Sequence, residues 1–238
     1  MVQEERRLSL RLLGPPEASI EEGRPLRFGT KKSLALLCYL AAEGGRHPRR
    51  ELAELLWPMS DERHARTDLR SALAKLRKTL GEESIHDEGG VRYLLVDREL
   101  LGVESRGIEL DLKALQAAVW LARTETSSAP PGGRSTEADA AIGRRRELIG
   151  RLEEALGLYR GEFMEGFSLD DAPEFELWVE GERTRWRRVF GELCERLSRL
   201  QSEAGQLDEA IETARVWVRH ARLEEGAHTR LMELLSSA

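Results

Sequence analysis

Residues 49–92 read RRELAELLWPMSDERHARTDLRSALAKLRKTLGEESIHDEGGVR, and the fold turns on them. From Ser60 to Leu80 the apolar positions Leu69, Ala72, Leu73, Leu76 and Leu80 recur at the spacing of one helical face. That stripe predicts a helix from Asp61 to Leu80 with those five side chains in a core. Advancing about 100° per residue from it places Arg63, His64, Thr67, Arg70, Ser71, Ala74, Lys75 and Lys78 on the flanks and back. Between Arg63 and Leu80, Arg63, Arg66, Arg70, Lys75, Arg77 and Lys78 stand against a single acid, Asp68, although the whole chain carries a net charge of −6. A cationic helix on an acidic chain suits attraction to phosphate at one surface, because backbone charge supplies most non-specific affinity for nucleic acid. Charge patterning alone also describes an ordinary solvated face, so the neighbouring segments carry weight.

Upstream, His47, Pro48 and Arg49 precede a short helix from Arg50 to Leu56, whose start sets backbone amides and Arg49 or Arg50 near a phosphate. Downstream, Ser84 to Asp87 and Val91 to Val96 read as strands joined by Glu88, Gly89 and Gly90, a turn suited to a hairpin. Arg92 then sits near the tip as a candidate for phosphate or minor-groove contact, and Tyr93 is a packing residue. Two short helices, the second cationic, followed by a glycine-tipped hairpin make a winged helix-turn-helix. In that geometry helix 61–80 enters the major groove of double-stranded DNA, with Arg49 or Arg50 and Arg92 holding the backbone on either side.

The longer runs carry a family resemblance. "LSLRLLGPPEASIEEGRPLRFGTKKSLALLCYLAAEGGRHPRRELAELLWP", followed by "DERHARTDLRSALAKLRKTL", resembles the OmpR-like winged helix that opens bacterial activators of the SARP/AfsR type. "LYRGEFMEGFSLDDAPEFELWVEGERTRWRRVFGELCERL", from Leu158 to Leu197, resembles the bacterial transcriptional activator domain, a helical module of tetratricopeptide-like repeats. The resemblance implies an α+β winged-helix domain over residues 1–104 and an all-α tetratricopeptide-like domain over residues 105–238. It also implies that RNA polymerase is touched at the loop Trp57 to Asp61, and that the helical domain supports dimerisation or signalling.

The remaining segments fit that order. Leu8 to Leu13, Ala18 to Ile20 and Leu26 to Phe28 read as short strands around Gly14-Pro15-Pro16 and Gly23. Thr30 is placed to cap a helix from Lys31 to Glu43 that buries Leu34, Leu37, Cys38 and Ala41 and ends at Gly44-Gly45. Ile108 to Leu110 is a short strand, Asp111 caps a helix from Leu112 to Arg123, and Thr124 to Glu137 has the composition of a loop. Ile142, Ile149, Leu152, Leu156 and Tyr159 form one core seam. Trp178, Val189, Phe190, Leu193, Leu197 and Leu200 form another along a helix from Glu174 to Glu203. The turn at Gly205-Gln206 leads into Ala210, Ile211, Ala214, Trp217 and Val218, the helix, turn and helix of a repeat unit. Against the family pattern the helical domain looks truncated at its C-terminus. The face of Leu231, Leu234 and Leu235, with Trp217 and Val218, is therefore expected to be exposed, covered by a second copy in a homodimer, or covered by a further segment.

Composition bounds the function. Residues 1–80 hold 16 Lys and Arg against 11 Asp and Glu, whereas residues 81–238 hold 21 against 32, so a field that attracts DNA is confined to the first part. Cys38 and Cys194 fall within apolar helical patterns as separate buried thiols. The N-terminal residues lack a signal-peptide stretch and no run is long enough to span a bilayer, which points to a cytoplasmic protein without a membrane partner. No catalytic, cofactor or metal site is expected. "GTKK" at 29–32 lacks a Walker loop and reads as a helix start near DNA; Glu225-x-x-His228 lacks the second copy that a di-iron site needs; and Cys38 with His47 lacks an orienting third group. The reading is a sequence-specific DNA-binding transcriptional regulator, an activator in sign, with a protein-binding helical adaptor whose winged helix no longer binds DNA as the alternative.

Overall fold

The computed structural model describes residues 7–20, 24–82, 92–125 and 135–237. The chain divides into two compact units, one of Met1–Leu112 with Phe163–Glu182, the other of Lys113–Glu162 with Arg183–Ala238. The first is a winged helix-turn-helix of mixed α and β structure; the second is helical throughout. This partition does not follow a single cut after residue 104, since a segment late in the sequence belongs to the first unit.

In the first unit, β1 (Leu8–Arg11) is the centre of a three-stranded sheet, antiparallel to β2 (Glu17–Ser19) and parallel to β6 (Ile108–Leu110). The alternation of buried Leu8 and Leu10 with half-exposed Ser9 and Arg11 is what one buried sheet face requires. The strand stops at Arg11, not Leu13, because the Leu12 and Leu13 amides turn to the Asp111 carboxylate at 2.7 and 2.8 Å. Residues 26–28 do not form a strand. Only a bridge between Ser19 and Pro25 and the Leu26 amide on the Ala18 carbonyl at 2.7 Å remain there, since Pro25 has no N–H to extend the ladder.

Inside this frame lie α1 (Lys31–Glu43), α2 (Arg49–Leu56) and α3 (Glu62–Leu80), accompanied by a second sheet in which β5 (Leu100–Val103) runs between β3 (Arg46–Pro48) and β4 (Leu94–Val96). Thr30 caps α1 by accepting the Ser33 amide at 3.2 Å, as its side chain predicts. The strand read over Ser84 to Asp87 and its Gly89-Gly90 tip lie outside the described residues. Leu94–Val96 is a strand, but its described partner is β5, across a turn at residues 97–99, and neither β3 nor β5 is apparent from sequence periodicity. Each is too short to alternate visibly, and Gly102 interrupts β5. That glycine is required by close approach, because a Cβ there would stand 2.4 Å from the Gly45 carbonyl oxygen.

Phe163–Glu182 is knitted into the first unit. The Met164 amide donates to the Leu12 carbonyl at 2.8 Å, the Glu165 amide to Gly14 at 3.0 Å, and the Trp178 indole to Glu43 at 2.6 Å. Trp178 also lies against Tyr39 and Phe163, with ring centroids at 4.9 and 5.5 Å. It therefore packs away from Phe190, Leu193, Leu197 and Leu200, and the single seam expected along that helix is corrected to two. Residues 173–182 of α6 (Pro173–Glu203) belong to the first unit and the remainder to the second.

The second unit takes most of α4 (Asp111–Glu125), then α5 (Ser135–Leu158), the rest of α6, α7 (Leu207–His220) and α8 (Glu225–Ser236). Its core holds Leu148, Ile149, Leu152 and Tyr159 with Phe190, Leu193 and Leu197. Tyr159 stacks on Phe190 at 3.8 Å between centroids. Ile142 departs from the expected seam: it is 59% exposed, since the buried stretch of α5 begins only at Leu148. The expected bare face at the end of the chain is corrected in part. Leu234 and Trp217 are 2% and 4% exposed, because α8 folds back on α7 and closes a cluster of Ala210, Ile211, Ala214 and Leu234 with Leu207 and Leu231 against it. Met232 and Leu235 remain exposed. Among the described residues no helix is long and apolar enough to cross a membrane.

The contact that closes the first unit is testable. Asp111→Ala removes the acceptor of the Leu12, Leu13 and Leu112 amides, and leaving a buried amide without a partner costs about 1–3 kcal/mol. We expect denaturant unfolding of the first unit to lose about 2–5 kcal/mol of stability. A loss below about 0.5 kcal/mol, the range of an ordinary surface change, would show that water or rearrangement replaces the carboxylate.

Candidate nucleic-acid interface

The geometry of α3 follows from its two ends and its buried face. Asp61 caps it, one carboxylate oxygen accepting the His64 amide at 3.0 Å and the other lying 2.6 Å from His64 Nδ1. These contacts, the His64 amide first, hold the Asp61 carboxyl below its ordinary pKa. At the other end Gly81 adopts φ +75°, the left-handed conformation that stops a helix. Ala65, Leu69, Ala72, Leu73, Leu76 and Leu80 are buried, and the Ser33 hydroxyl ties the Ala72 carbonyl to α1 at 3.3 Å. Arg63, His64, Thr67, Arg70, Ser71, Ala74, Lys75 and Lys78 are all exposed.

On one flank of α3 the structure gathers arginines. Arg49 and Arg50 from the start of α2, Arg66 and Arg70 from α3 and Arg98 from the turn between β4 and β5 line one cavity, along with Pro48, Leu69 and Glu99. Burial and the neighbouring Arg70 charge lower the Arg49 pKa, with Asp97 opposing them. The start of α2 is tied to the hairpin: the Arg49 amide donates to the Glu99 carbonyl at 2.8 Å, so that N–H is committed within the protein. Asp97 shapes the turn by accepting the Leu100 and Glu99 amides at 2.7 and 2.8 Å. Those two bonds, Leu100 first, hold its carboxyl below the usual range, aided by Arg46 and Arg49. Arg50 also pairs with Glu54 at 2.8 Å and Arg66 with Glu62 at 2.6 Å. Arg70 donates to Thr67 Oγ1 at 3.2 Å, which steadies its guanidinium along the helix.

The opposite flank is mixed in sign. Asp68, Ser71 and Lys75 of α3 share a second cavity with Thr30, Lys31 and Lys32 at the start of α1, Trp57, and Ser168, Leu169, Asp170 and Asp171. Lys32 pairs with Asp171 at 2.7 Å and lies 5.1 Å from the centre of the Trp57 ring, while Lys31 reaches the Ser168 carbonyl at 3.3 Å. The lysines of GTKK thus serve contacts inside the protein. Lys78 lines a third cavity with Arg24 and Arg27. Arg92 is exposed just before β4 and lines none of these, while Tyr93 beside it is buried.

Arg98 is the residue that sequence reasoning passed over. Its signal is local: an Asp-Arg-Glu turn between LLV and LLGV, with an Asp able to bond amides two and three residues ahead. The thiols are chemically quiet. Burial pushes both Cys38 and Cys194 well above the ordinary thiol pKa, and His47 is engaged with the Gly44 carbonyl at 2.7 Å. His228 lies 2.8 Å from the Arg222 carbonyl, and among the described residues no group of three or more His, Cys, Asp and Glu is arranged to hold a metal.

Comparison with known proteins bears on this geometry. The family model described as bacterial transcriptional activator domain matches residues 110–238, more than half of the chain. The solved structure of Mycobacterium tuberculosis EmbR in complex with a low-affinity phosphopeptide is similar in fold, at 19% identity and a TM-score of 0.50 over 98% of this chain. This chain spans 66% of that one. No curated protein matches.

The Asp97 turn makes a pH prediction. A carboxylate whose folded pKa is depressed stabilises the fold above its unfolded pKa of about 3.9, and that contribution is lost as pH falls through the folded value. Nuclear magnetic resonance should find the Asp97 carboxyl titrating below the usual carboxylate range, with the Glu99 and Leu100 amide shifts moving at the same pH. Titration of Asp97 at or above the ordinary value would mean that this turn does not hold Arg98 in place.

Proposed function

The chain belongs to the bacterial transcriptional activator domain family, and on that premise we propose that it is a sequence-specific DNA-binding activator that reads duplex DNA with α3. The observation that carries the reading is the convergence of Arg49, Arg50, Arg66, Arg70 and Arg98 on one flank of an exposed cationic helix. Five guanidinium groups crowded around one cavity favour an anionic occupant, and bidentate arginine suits phosphate oxygens. In this reading α3 lies in the major groove, where Arg63, His64, Thr67, Arg70, Ser71, Ala74, Lys75 and Lys78 meet bases and adjoining phosphates. Arg49 and Arg50 hold the backbone from α2, and Arg98 and Arg92 hold it from the hairpin side. In this reading the loop Trp57 to Asp61, where Met59 is 78% exposed, is the surface offered to RNA polymerase.

Selection of bound fragments from random duplex DNA, followed by titration against salt, tests the reading. Arg70→Ala should cost about 1–3 kcal/mol on the preferred sequence and relax one base preference. Lys78→Ala and Arg98→Ala should weaken all sequences together, and each should reduce the salt slope by about 1. Parental binding by all three variants at every salt concentration, or no salt-sensitive retention of the parent on DNA, would refute it.

A further inference from the structure

The two flanks of α3 differ in sign, and beyond Asp68 of the helix itself the acids on the mixed flank come from outside it. A helix in the major groove has a phosphate backbone on each side. Guanidinium groups line one flank, whereas Ser71 and Lys75 on the other share their cavity with Asp170 and Asp171. Both acids are exposed and follow directly on buried Leu169, whose amide is fixed by the Glu176 carboxylate at 2.6 Å. The loop is thus anchored where it turns toward α3. Asp171 also takes up the Lys32 ammonium at 2.7 Å, so an arriving phosphate would have to compete with that carboxylate for it.

We infer that the Asp170-Asp171 loop is an electrostatic brake on DNA binding, set beside α3 by the Phe163–Glu182 segment. The inference rests on the reading of α3 as the DNA-facing helix. The brake acts in two ways. Its carboxylates repel the backbone along the Ser71 and Lys75 flank, and its ion pair withholds Lys32 from the phosphates. Affinity is thereby lowered for every sequence, because the carboxylates act on the phosphate backbone that every duplex carries. An influence that displaced this loop would raise DNA affinity with no alteration to α3 itself.

The test uses the full chain and a labelled random-sequence duplex. Asp170→Asn/Asp171→Asn should bind roughly fivefold tighter at about 50 mM salt, with the gain shrinking as the Debye length falls toward about 3 Å near 1 M. Asp170→Asn alone, which leaves the Lys32 pair intact, should give a smaller gain and covers the case in which the double variant fails to fold. Adding Lys32→Met to the double variant should remove the part of the gain owed to the released lysine. Arg70→Ala, measured alongside, separates the two ideas. If it weakens binding while the Asn variants bind no tighter than the parent, the brake is refuted and the DNA-reading role of α3 stands. Weaker binding by the Asn variants also refutes the brake, since the acids would then be supporting the DNA-competent form. If Arg70→Ala and the Asn variants all bind as the parent does, the α3 reading fails and the brake falls with it.

Discussion

The first unit depends on one buried carboxylate. Asp111 is 6% exposed, and its side chain accepts the amides of Leu12, Leu13 and Leu112. Taking a charge out of water is costly unless donors replace the solvent, and three backbone N–H groups do so here. The result joins the end of β1 to the start of α4 across about a hundred residues of sequence. Since β1 and β6 are parallel, the chain after β2 has to leave the sheet and return before β6, and the helices and the second sheet form that excursion.

Within that frame α3 is held by one face and offers the other. Its buried leucines and alanines fix its rotation about its axis, so the identity of each exposed side chain decides what each flank presents. The arginine flank is assembled from three elements, of which α2 and the hairpin turn are joined by the Arg49 amide on Glu99. Asp97 is central to this arrangement: it shapes the turn, pairs with Arg46 at 3.3 Å, and its backbone carbonyl accepts from Arg49 at 3.1 Å. Asp97 thus moderates the cationic surface together with Glu54 and Glu62, which pair with Arg50 and Arg66.

Where local physics decides structure, the sequence was legible. The stripe of Leu69, Ala72, Leu73, Leu76 and Leu80 is wholly buried, and Thr30 caps α1. The eight exposed positions named on α3 follow from the same geometry. Pairing was not legible. β3 and β5 have three and four residues, too few for alternation to register, and Arg98 entered the cavity only because the turn between β4 and β5 folds toward α2. Periodicity also overreached. It assigned Ile142 to a seam one turn or more beyond the buried stretch, and joined Trp178 to a stripe although that ring packs on Tyr39 and Phe163. The helical spacing is correct in both cases, but spacing cannot say where along a helix the partner surface begins or ends.

The end of the chain shows the same limit from the other side. A face of Leu231, Leu234 and Leu235 beside Trp217 looks unpartnered when each helix is read alone, yet the turn at residues 221–224 brings α8 back over α7 and buries most of it. The Trp217 indole meets the Glu224 carboxylate at 3.1 Å, so the turn is fixed by a polar contact at the edge of the cluster. Gly191 permits this, since a Cβ there would stand 3.2 Å from Glu224 and 3.3 Å from the Trp217 nitrogen. A small residue on α6 therefore decides how closely the last helix pair can sit on it. Burial of an apolar face is a property of the pair of elements, and the residues that allow the pairing lie on a third.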